Sequence, residues 1–462
     1  MNPDDLDQAL ALANGWGPRP HGWSEGRSPA PPHGSGGGAA PTGGGAASAI
    51  TDLDWGRARV LARRLGSPAP PVTLPLDEAL DQPLATSLPA LSDLPSFDSS
   101  AMDGWAVSGP GPWQLVGDWV LAGADEGPAL ADGEAVPIAT GARIPAGATA
   151  VLRAERGEVD GERLRAFRTP QQGADIRPRG QECRRGESLL AEGTQVTPAV
   201  LGLASAAGYD QLTVRPRPRV EVLVLGEELL RRGRPRQGRI RDALGPMLAP
   251  WLRRLGAEVL VTRHLGDDRE ALREAVDTSR ADLLLTTGGT AAGPRDHLRP
   301  VLDAVDAALL VDGVRVRPGH PMLLAQLPGG VPLVGLPGNP LAAVAGLLTL
   351  VEPLLFALAG RPQPPLVAAR LARPATGHPR DTVLLPVALD RPGGAPGESG
   401  DAWSAEYRAE GGPEERRFAE PLEFAGPAML RGVASADGLA VVPPGGAEAG
   451  GTVYVREVPW RD

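Results

Sequence analysis

A change of texture at Arg219 restricts the possible folds of this chain more than any other feature. From there to Gly360, Val220–Leu225, Glu258–Thr262, Leu283–Thr287 and Pro332–Leu336 read as short apolar strands, and Pro246–Leu255 as a helix that ends at Gly256. Asp267-Asp268-Arg269-Glu270 opens another helix in the manner of a capping box, an Asp cap followed by Glu three positions on. Strands alternating with helices imply a parallel sheet covered on both faces.

The rest of the chain has a different grain. With 462 residues it exceeds a single core, and about three domains are expected. Sixty-one glycines and 50 prolines imply many turns and at least one unstructured stretch. Pro29–Ala47 is almost wholly Gly, Ala, Pro, Ser and Thr, so residues 1–50 read as a flexible tail, with a short helix at Asp4–Asn14. Asp52–Leu65 has helical spacing and stops at the break Pro68-Ala69-Pro70-Pro71. Trp113–Val116, Glu134–Ile138 and Ala148–Leu152 read as strands of a small β-rich domain, and Thr197–Gly208 returns to helix. After Gly360 short strands and Gly/Pro turns resume, with a loop at Arg391–Gly400. The expected architecture is a multidomain α/β protein. It comprises a tail (1–50), a mixed helical linker domain (51–97 plus 182–218), a β-rich domain (98–181), an α/β domain (219–360) and a C-terminal β-barrel-like domain (361–462).

Composition excludes several functions. A net charge of −10 and 4% aromatic residues argue against a nucleic-acid surface. One cysteine, Cys183, cannot form an internal disulfide, which fits a reducing cytoplasm; it reads as a bystander thiol. The acidic start Met1-Asn2-Pro3-Asp4-Asp5 does not resemble a signal peptide. Pro340–Gly360 is the most apolar run, but Glu352 and Pro353 within it point to a buried helix and a turn, not a membrane span. All 46 basic residues are arginine, so a Lys Schiff base, a Lys general base and a phosphate-loop lysine are ruled out.

Three stretches carry the chemistry. Pro95-Ser96-Phe97-Asp98-Ser99-Ser100-Ala101-Met102-Asp103-Gly104-Trp105-Ala106-Val107 sets two carboxylates among small residues in a loop. Thr286-Thr287-Gly288-Gly289-Thr290 follows a strand directly, with Gly293 and Asp296 beyond. Ligands bind outside the carboxyl ends of strands in open α/β sheets, and glycine lets backbone N–H groups approach an anion, although a tight turn explains the pair equally well. In Leu336-Pro337-Gly338-Asn339-Pro340, Asn339 is placed to cap a helix whose free N–H groups would face an anion.

Together these stretches resemble, in order and separation, the motifs of the molybdopterin molybdenumtransferases, the family of the gephyrin E domain. The family writes the first as P-x-F-D-N-S-A-M-D-G-Y-A-V, the second as S-G-G-V-S-x-G and the third as L-P-G-N-P. Arg317-Pro318-Gly319-His320-Pro321 stands where the family has K-P-G-K-P. Weaker matches are Ala139-Thr140-Gly141-Ala142, Arg177-Pro178-Arg179-Gly180-Gln181-Glu182, Gly226-Glu227-Glu228-Leu229 and Asp437–Pro443. The resemblance covers about residues 51–462.

The resemblance implies insertion of molybdate into adenylated molybdopterin with release of AMP, aided by Mg²⁺, in a cytoplasmic homodimer, with the molybdopterin adenylyltransferase as a further partner. It assigns catalytic roles to Asp103, Glu228, Asp267 and Asp296, and metal binding to Glu182, Glu228, Asp267 and Asp268. Substrate binding falls to Thr140, Gly288, Gly289, Arg317, His320, Pro337, Gly338 and Asn339. These residue types suit that chemistry, since Arg and backbone N–H groups serve oxyanions and carboxylates serve Mg²⁺. Ala291 replaces a family serine, Leu244 a family amide, and Arg317 and His320 two lysines. Two other readings compete. One is a molybdopterin-binding scaffold that has lost insertion; the other, a generic nucleotide-binding enzyme, requires coincidence at all three motifs.

Overall fold

A computed structural model describes residues 49–460 except 125–126, 292, 294–295 and 390–416. The expected tail, but for its last two residues, and the expected loop Arg391–Gly400 lie outside the described residues. Two compact units form: one from the residues up to Pro70 and from Pro216 onward, the other from Pro71–Arg215.

In chain order the first unit contains β1 (Ile50–Asp54), α1 (Trp55–Leu65), β2 (Arg219–Leu225), α2 (Leu244–Arg254), β3 (Glu258–Leu265) and α3 (Arg269–Thr278). Then come β4 (Leu283–Thr287), α4 (Leu298–Ala304), β5 (Ala308–Arg317), β6 (Leu323–Gln326), β7 (Pro332–Leu336), α5 (Pro340–Gly346) and α6 (Glu352–Leu358). Strands β3-β2-β4-β7 run parallel, as the apolar runs predict. Pleating divides them between two cores. Val220, Val222 and Val224 join α1, α2, α5 and α6 on one face, and Leu223 joins α3 and α4 on the other. Beyond β7 the sheet turns antiparallel through β6 and β5, two strands the apolar runs did not mark. The polar pair Asp312-Gly313 interrupts β5 and hides its period.

Of the stretch expected to form a linker (51–97), β1 and α1 belong to the first unit. β1 pairs in parallel with β5. Ala58, Leu61, Ala62 and Leu65 fall on one helical stripe of α1 and are buried against α6 and its neighbours. Asp54 caps α1 by accepting the Arg57 N–H at 2.9 Å.

Pro340–Leu358 forms one long helical rod in which α5 passes through a π turn (Leu347–Val351) into α6. In this widened turn the Leu348 carbonyl would accept from residue 353, a proline without an N–H. The Arg59 guanidinium donates to that carbonyl instead. Among the described residues this is the one helix long and apolar enough to span a bilayer, and 94% of its apolar window is buried within the protein.

The C-terminal strands β8 (Val367–Leu371), β9 (Thr382–Leu389), β10 (Phe418–Pro421), β11 (Gly438–Val442) and β12 (Thr452–Glu457) close a five-stranded ring in the order β9-β10-β8-β12-β11-β9. This is the β-barrel-like element read from the sequence, and Leu371, Val387, Ala440 and Val455 fill its interior. Val316 and Arg317 of β5 pair with Thr382 and Val383 of β9, joining the ring to the larger sheet.

The second unit holds a six-stranded sheet in the order Ala150–Arg153, Gly104–Val107, Glu134–Ile138, Trp113–Leu115, Arg163–Ala166, Gly157–Asp160. Its remaining residues pack the helix Pro198–Ala206, capped by Thr197, against short strand pairs around Leu84, Val196, Leu212 and Val214.

Candidate active site

At the carboxyl ends of β2, β3, β4 and β7 the first unit opens a cleft of about 840 Å³. Residues from seven separate stretches line it, among them Glu228, Asp267, Asp268, Gly288, Gly289, Asp296, Pro337, Gly338 and Asn339. Nine of the residues singled out in the sequence thus meet in one place. Gly288 (φ 79°) and Gly289 (φ 67°) both take left-handed backbone after β4, which explains why glycine stands at each.

The acids differ in their commitments. Asp268 Oδ1 accepts the N–H groups of Glu270 (2.9 Å) and Ala271 (3.1 Å) as the cap of α3. The capping box expected there is absent, because Asp268 rather than Asp267 is the cap and Glu270 falls at the second helical position, where it pairs with Arg273. Asp296 Oδ2 accepts the Gly293 N–H at 2.7 Å and closes the turn after the Gly-Gly pair. Asp242, buried in the cleft wall, accepts the N–H groups of Leu244 (2.9 Å) and Gly245 (3.0 Å) and contacts His264 Nε2 at 2.8 Å. Asp242 therefore satisfies the first N–H groups of α2 although Leu244 carries no side-chain amide.

Asn339 stands at the cap position of α5 (φ −73°, ψ 129°) but its side chain makes no capping hydrogen bond. The Pro427 carbonyl instead accepts the N–H groups of Leu341 (2.9 Å) and Ala342 (3.3 Å). The helix start is thus satisfied by a loop between β10 and β11, and it does not offer those two N–H groups to an anion, contrary to the sequence reading.

Arg317 and His320 lie outside this cleft, on a second pocket of about 380 Å³ that shares Pro321, Pro337 and Asn339 with it. Both already face carboxylates. Arg317 Nε donates to Asp381 Oδ2 at 2.8 Å, and His320 Nε2 lies 2.7 Å from Asp52 Oδ1. Arg317 remains half exposed, with its two terminal nitrogens beyond that bond.

Asp103, Thr140 and Glu182 belong to the second unit. Asp103 Oδ1 accepts the backbone N–H of Thr140 (2.7 Å) and its hydroxyl (3.0 Å). These bonds, the backbone one foremost, hold the Asp103 carboxyl below the usual range. Cys183 is buried, and burial pushes its thiol up, away from reactivity.

Sequence reasoning missed Arg299. Its Nη1 donates to the carbonyls of Thr290 (2.7 Å) and Ala291 (3.0 Å), and its Nε and Nη2 grip Asp312 of β5. The guanidinium thereby braces the Gly-Gly turn from behind. No short motif marks this residue, since its partners are scattered over two elements.

Residues 53–208 match the MoeA N-terminal region (domain I and II), 221–357 a probable molybdopterin binding domain, and 408–457 the MoeA C-terminal region (domain IV). The chain is 37% identical over 316 residues to molybdopterin molybdenumtransferase 2 of Mycobacterium tuberculosis, covering 64% of this chain and 76% of that one. The chain belongs to the molybdopterin molybdenumtransferase family. A Synechococcus elongatus molybdopterin molybdenumtransferase is 35% identical over 312 residues, 63% of this chain and 77% of its own. In fold the chain is similar to the molybdopterin biosynthesis MoeA protein of Pyrococcus horikosii, with a TM-score of 0.70 at 24% identity over 88% of this chain and 99% of that structure. Membership places the chain among enzymes of molybdenum cofactor biosynthesis.

Proposed function

We propose that this chain transfers molybdate into adenylated molybdopterin and releases AMP. The observation that carries the reading is the convergence of Glu228, Asp267, Asp296 and the Gly288-Gly289 turn in one cleft that shares its wall with the Arg317–His320 pocket. The larger cleft takes the nucleotide-linked pterin, with the exposed backbone of the Gly-Gly turn against its phosphates. The smaller pocket takes the oxyanion. There the free terminal nitrogens of Arg317 donate to molybdate oxygens while Nε stays on Asp381, which fixes the fork.

Among the described residues no three His, Cys, Asp or Glu side chains come together as a ready-made metal cage. Mg²⁺ is nonetheless suited to the cleft, since it retains water and binds through one or two carboxylates together with substrate phosphates. Glu228 and Asp267 are the residues that would hold it, and its charge would offset that of the phosphates. A homodimer in which the Asp103 loop of one protomer completes the cleft of the other follows from the same reading. Sedimentation of a monomer alone at micromolar concentration counts against that assembly.

The alternative, a binding scaffold without transfer, draws support from the carboxylate partners of Arg317 and His320. Purified protein given adenylated molybdopterin, Mg²⁺ and molybdate decides. Molybdate-dependent AMP release supports the transferase; tight pterin binding with no AMP release supports the scaffold.

A further inference from the structure

The cleft has a rim of unusual charge. Six arginines fall within the eleven residues Arg231–Arg241, in a chain whose net charge is −10. The segment leaves the cleft at Leu229 and returns at Ile240, and these two residues pair with each other and both line the cavity. Every residue from Arg231 to Arg241 is exposed. Arg241 lines the cleft and its Nη1 donates to the Leu230 carbonyl at 3.4 Å. The side chains of Arg231, Arg232, Arg234, Arg236 and Arg239 make no ion pair among the described residues. Many other arginines of this chain, such as Arg219, Arg273 and Arg299, are matched to a carboxylate.

The wall they border has the opposite sign. Glu228, Asp242, Asp267, Asp268 and Asp296 all line the cleft. A substrate bearing phosphates meets five carboxylates there, and like charges at close range oppose its entry. A cluster of unpaired guanidinium groups at the mouth reverses that field where the encounter begins. Charges so arranged raise association rates by about 10–1000-fold, in a manner that salt suppresses.

We propose that the Arg231–Arg239 loop is an electrostatic funnel that captures the phosphate-bearing, nucleotide-linked substrate and delivers it past the acidic wall. The proposal rests on the functional reading above and adds to it a part of the chain that no motif covers. The loop acts on association, not on the bound state: its arginines lie beyond the residues that line the cleft, and the exposed guanidinium groups hold no fixed partner. Any anion of this class gains in proportion to its charge, and a neutral nucleoside gains nothing.

The test replaces Arg231, Arg232, Arg234, Arg236 and Arg239 together by Gln, with a matching set of Arg→Lys changes that keeps the charge. Stopped-flow binding of N-methylanthraniloyl ADP and of the neutral adenosine analogue is followed from about 0.02 to about 0.3 M salt. The Gln variant is expected to bind the ADP probe about tenfold more slowly at low salt, with a flattened salt dependence and an unchanged dissociation rate. The Lys variant should follow the parent, and the adenosine probe should not distinguish the three. Steady-state kcat/KM for AMP release from adenylated molybdopterin should fall in parallel for the Gln variant, with kcat preserved. If the parent releases no AMP from that substrate, the functional reading fails and the funnel with it. If the parent releases AMP but the Gln variant matches it in kcat/KM and in probe association at every salt concentration, only the funnel is overturned.

Discussion

Arg299→Met is the perturbation that most directly joins the fold to the site. The substitution keeps an unbranched apolar stem and removes the guanidinium. Two charge-assisted donations to the Thr290 and Ala291 carbonyls are lost, together with a forked pair to Asp312. Hydrogen bonds from charged groups contribute roughly 1.5–3 kcal/mol each when buried. Arg299 and Asp312 are 29% and 28% exposed, however, so water replaces part of what is lost. The Ala291 carbonyl lies on an exposed residue and is readily hydrated, whereas Thr290 is buried. The net cost is then about 2 kcal/mol. For a cooperative unit of this size that lowers Tm by about 4–8 °C.

The effect on the site should exceed what stability alone predicts. Gly288, Gly289, Thr290 and Ala291 form part of the cleft lining, and a displacement of about 1 Å in a positioning element costs up to about 100-fold in rate. The assay pairs calorimetry with AMP release from adenylated molybdopterin at a temperature well below both transitions. The brace predicts kcat/KM reduced at least tenfold, with Arg299→Lys intermediate because it keeps the charge but not the fork. A variant that loses stability yet turns over like the parent would make Arg299 purely structural. One that loses neither would show that its hydrogen bonds are replaced by water without penalty.

Three further outcomes follow from the same structure. Arg456→Met leaves Glu352, 1% exposed, without its principal donors and with only Arg59 at 3.9 Å, so the first unit should be destabilised by about 3–5 kcal/mol. Calorimetry should find most of that recovered in Glu352→Leu/Arg456→Leu, and a single variant as stable as the double removes the argument. Asp175 is held below the usual carboxyl range chiefly by its hydrogen bonds from Arg153, so its contribution to the second unit is complete above the unfolded value of about 3.9 and is lost as pH falls through the lower native value. Asp175→Asn, which tolerates the left-handed backbone there (φ 55°), should lower stability to urea at neutral pH and remove that acid-limb slope; an unchanged slope refutes the assignment. Arg317→Ala should weaken molybdate binding by about 1–3 kcal/mol by titration calorimetry, and an unchanged Kd would remove Arg317 from the oxyanion pocket.

How much of the fold the sequence betrays depends on how local its signal is. Strands β4 and β7 are legible as short runs buried on both faces, and β2 nearly so, whereas the edge strand β3 shows only its Val259-Leu260-Val261 centre between polar residues. Strand β5 escapes because Asp312-Gly313 breaks its run, yet Asp312 is the residue that holds Arg299. Helix α1 shows its buried stripe plainly, but the stripe does not name its partner. The unit to which Trp55–Leu65 belongs is decided by α6 and β5, about 300 and 250 residues away in sequence.

The site divides along the same line. Gly288 and Gly289 are legible because a backbone requirement selects the residue type, and their left-handed φ values bear that out. Caps are legible only approximately. Asp268 caps α3 one position beyond the Asp267 that the capping-box pattern marks, whereas Asn339 holds its expected position while the Pro427 carbonyl takes the N–H groups. A free helix start therefore cannot be inferred from an Asn-Pro pair alone, because tertiary structure supplies acceptors that no local window contains. Arg317 and His320 carry the same lesson in the opposite direction. From the sequence alone they read as the two side chains facing an oxyanion, but Asp381 and Asp52 occupy one nitrogen of each. Under the proposed function, an arriving oxyanion would meet side chains already oriented by Asp381 and Asp52, and its affinity would depend on those two carboxylates as well as on Arg317 and His320.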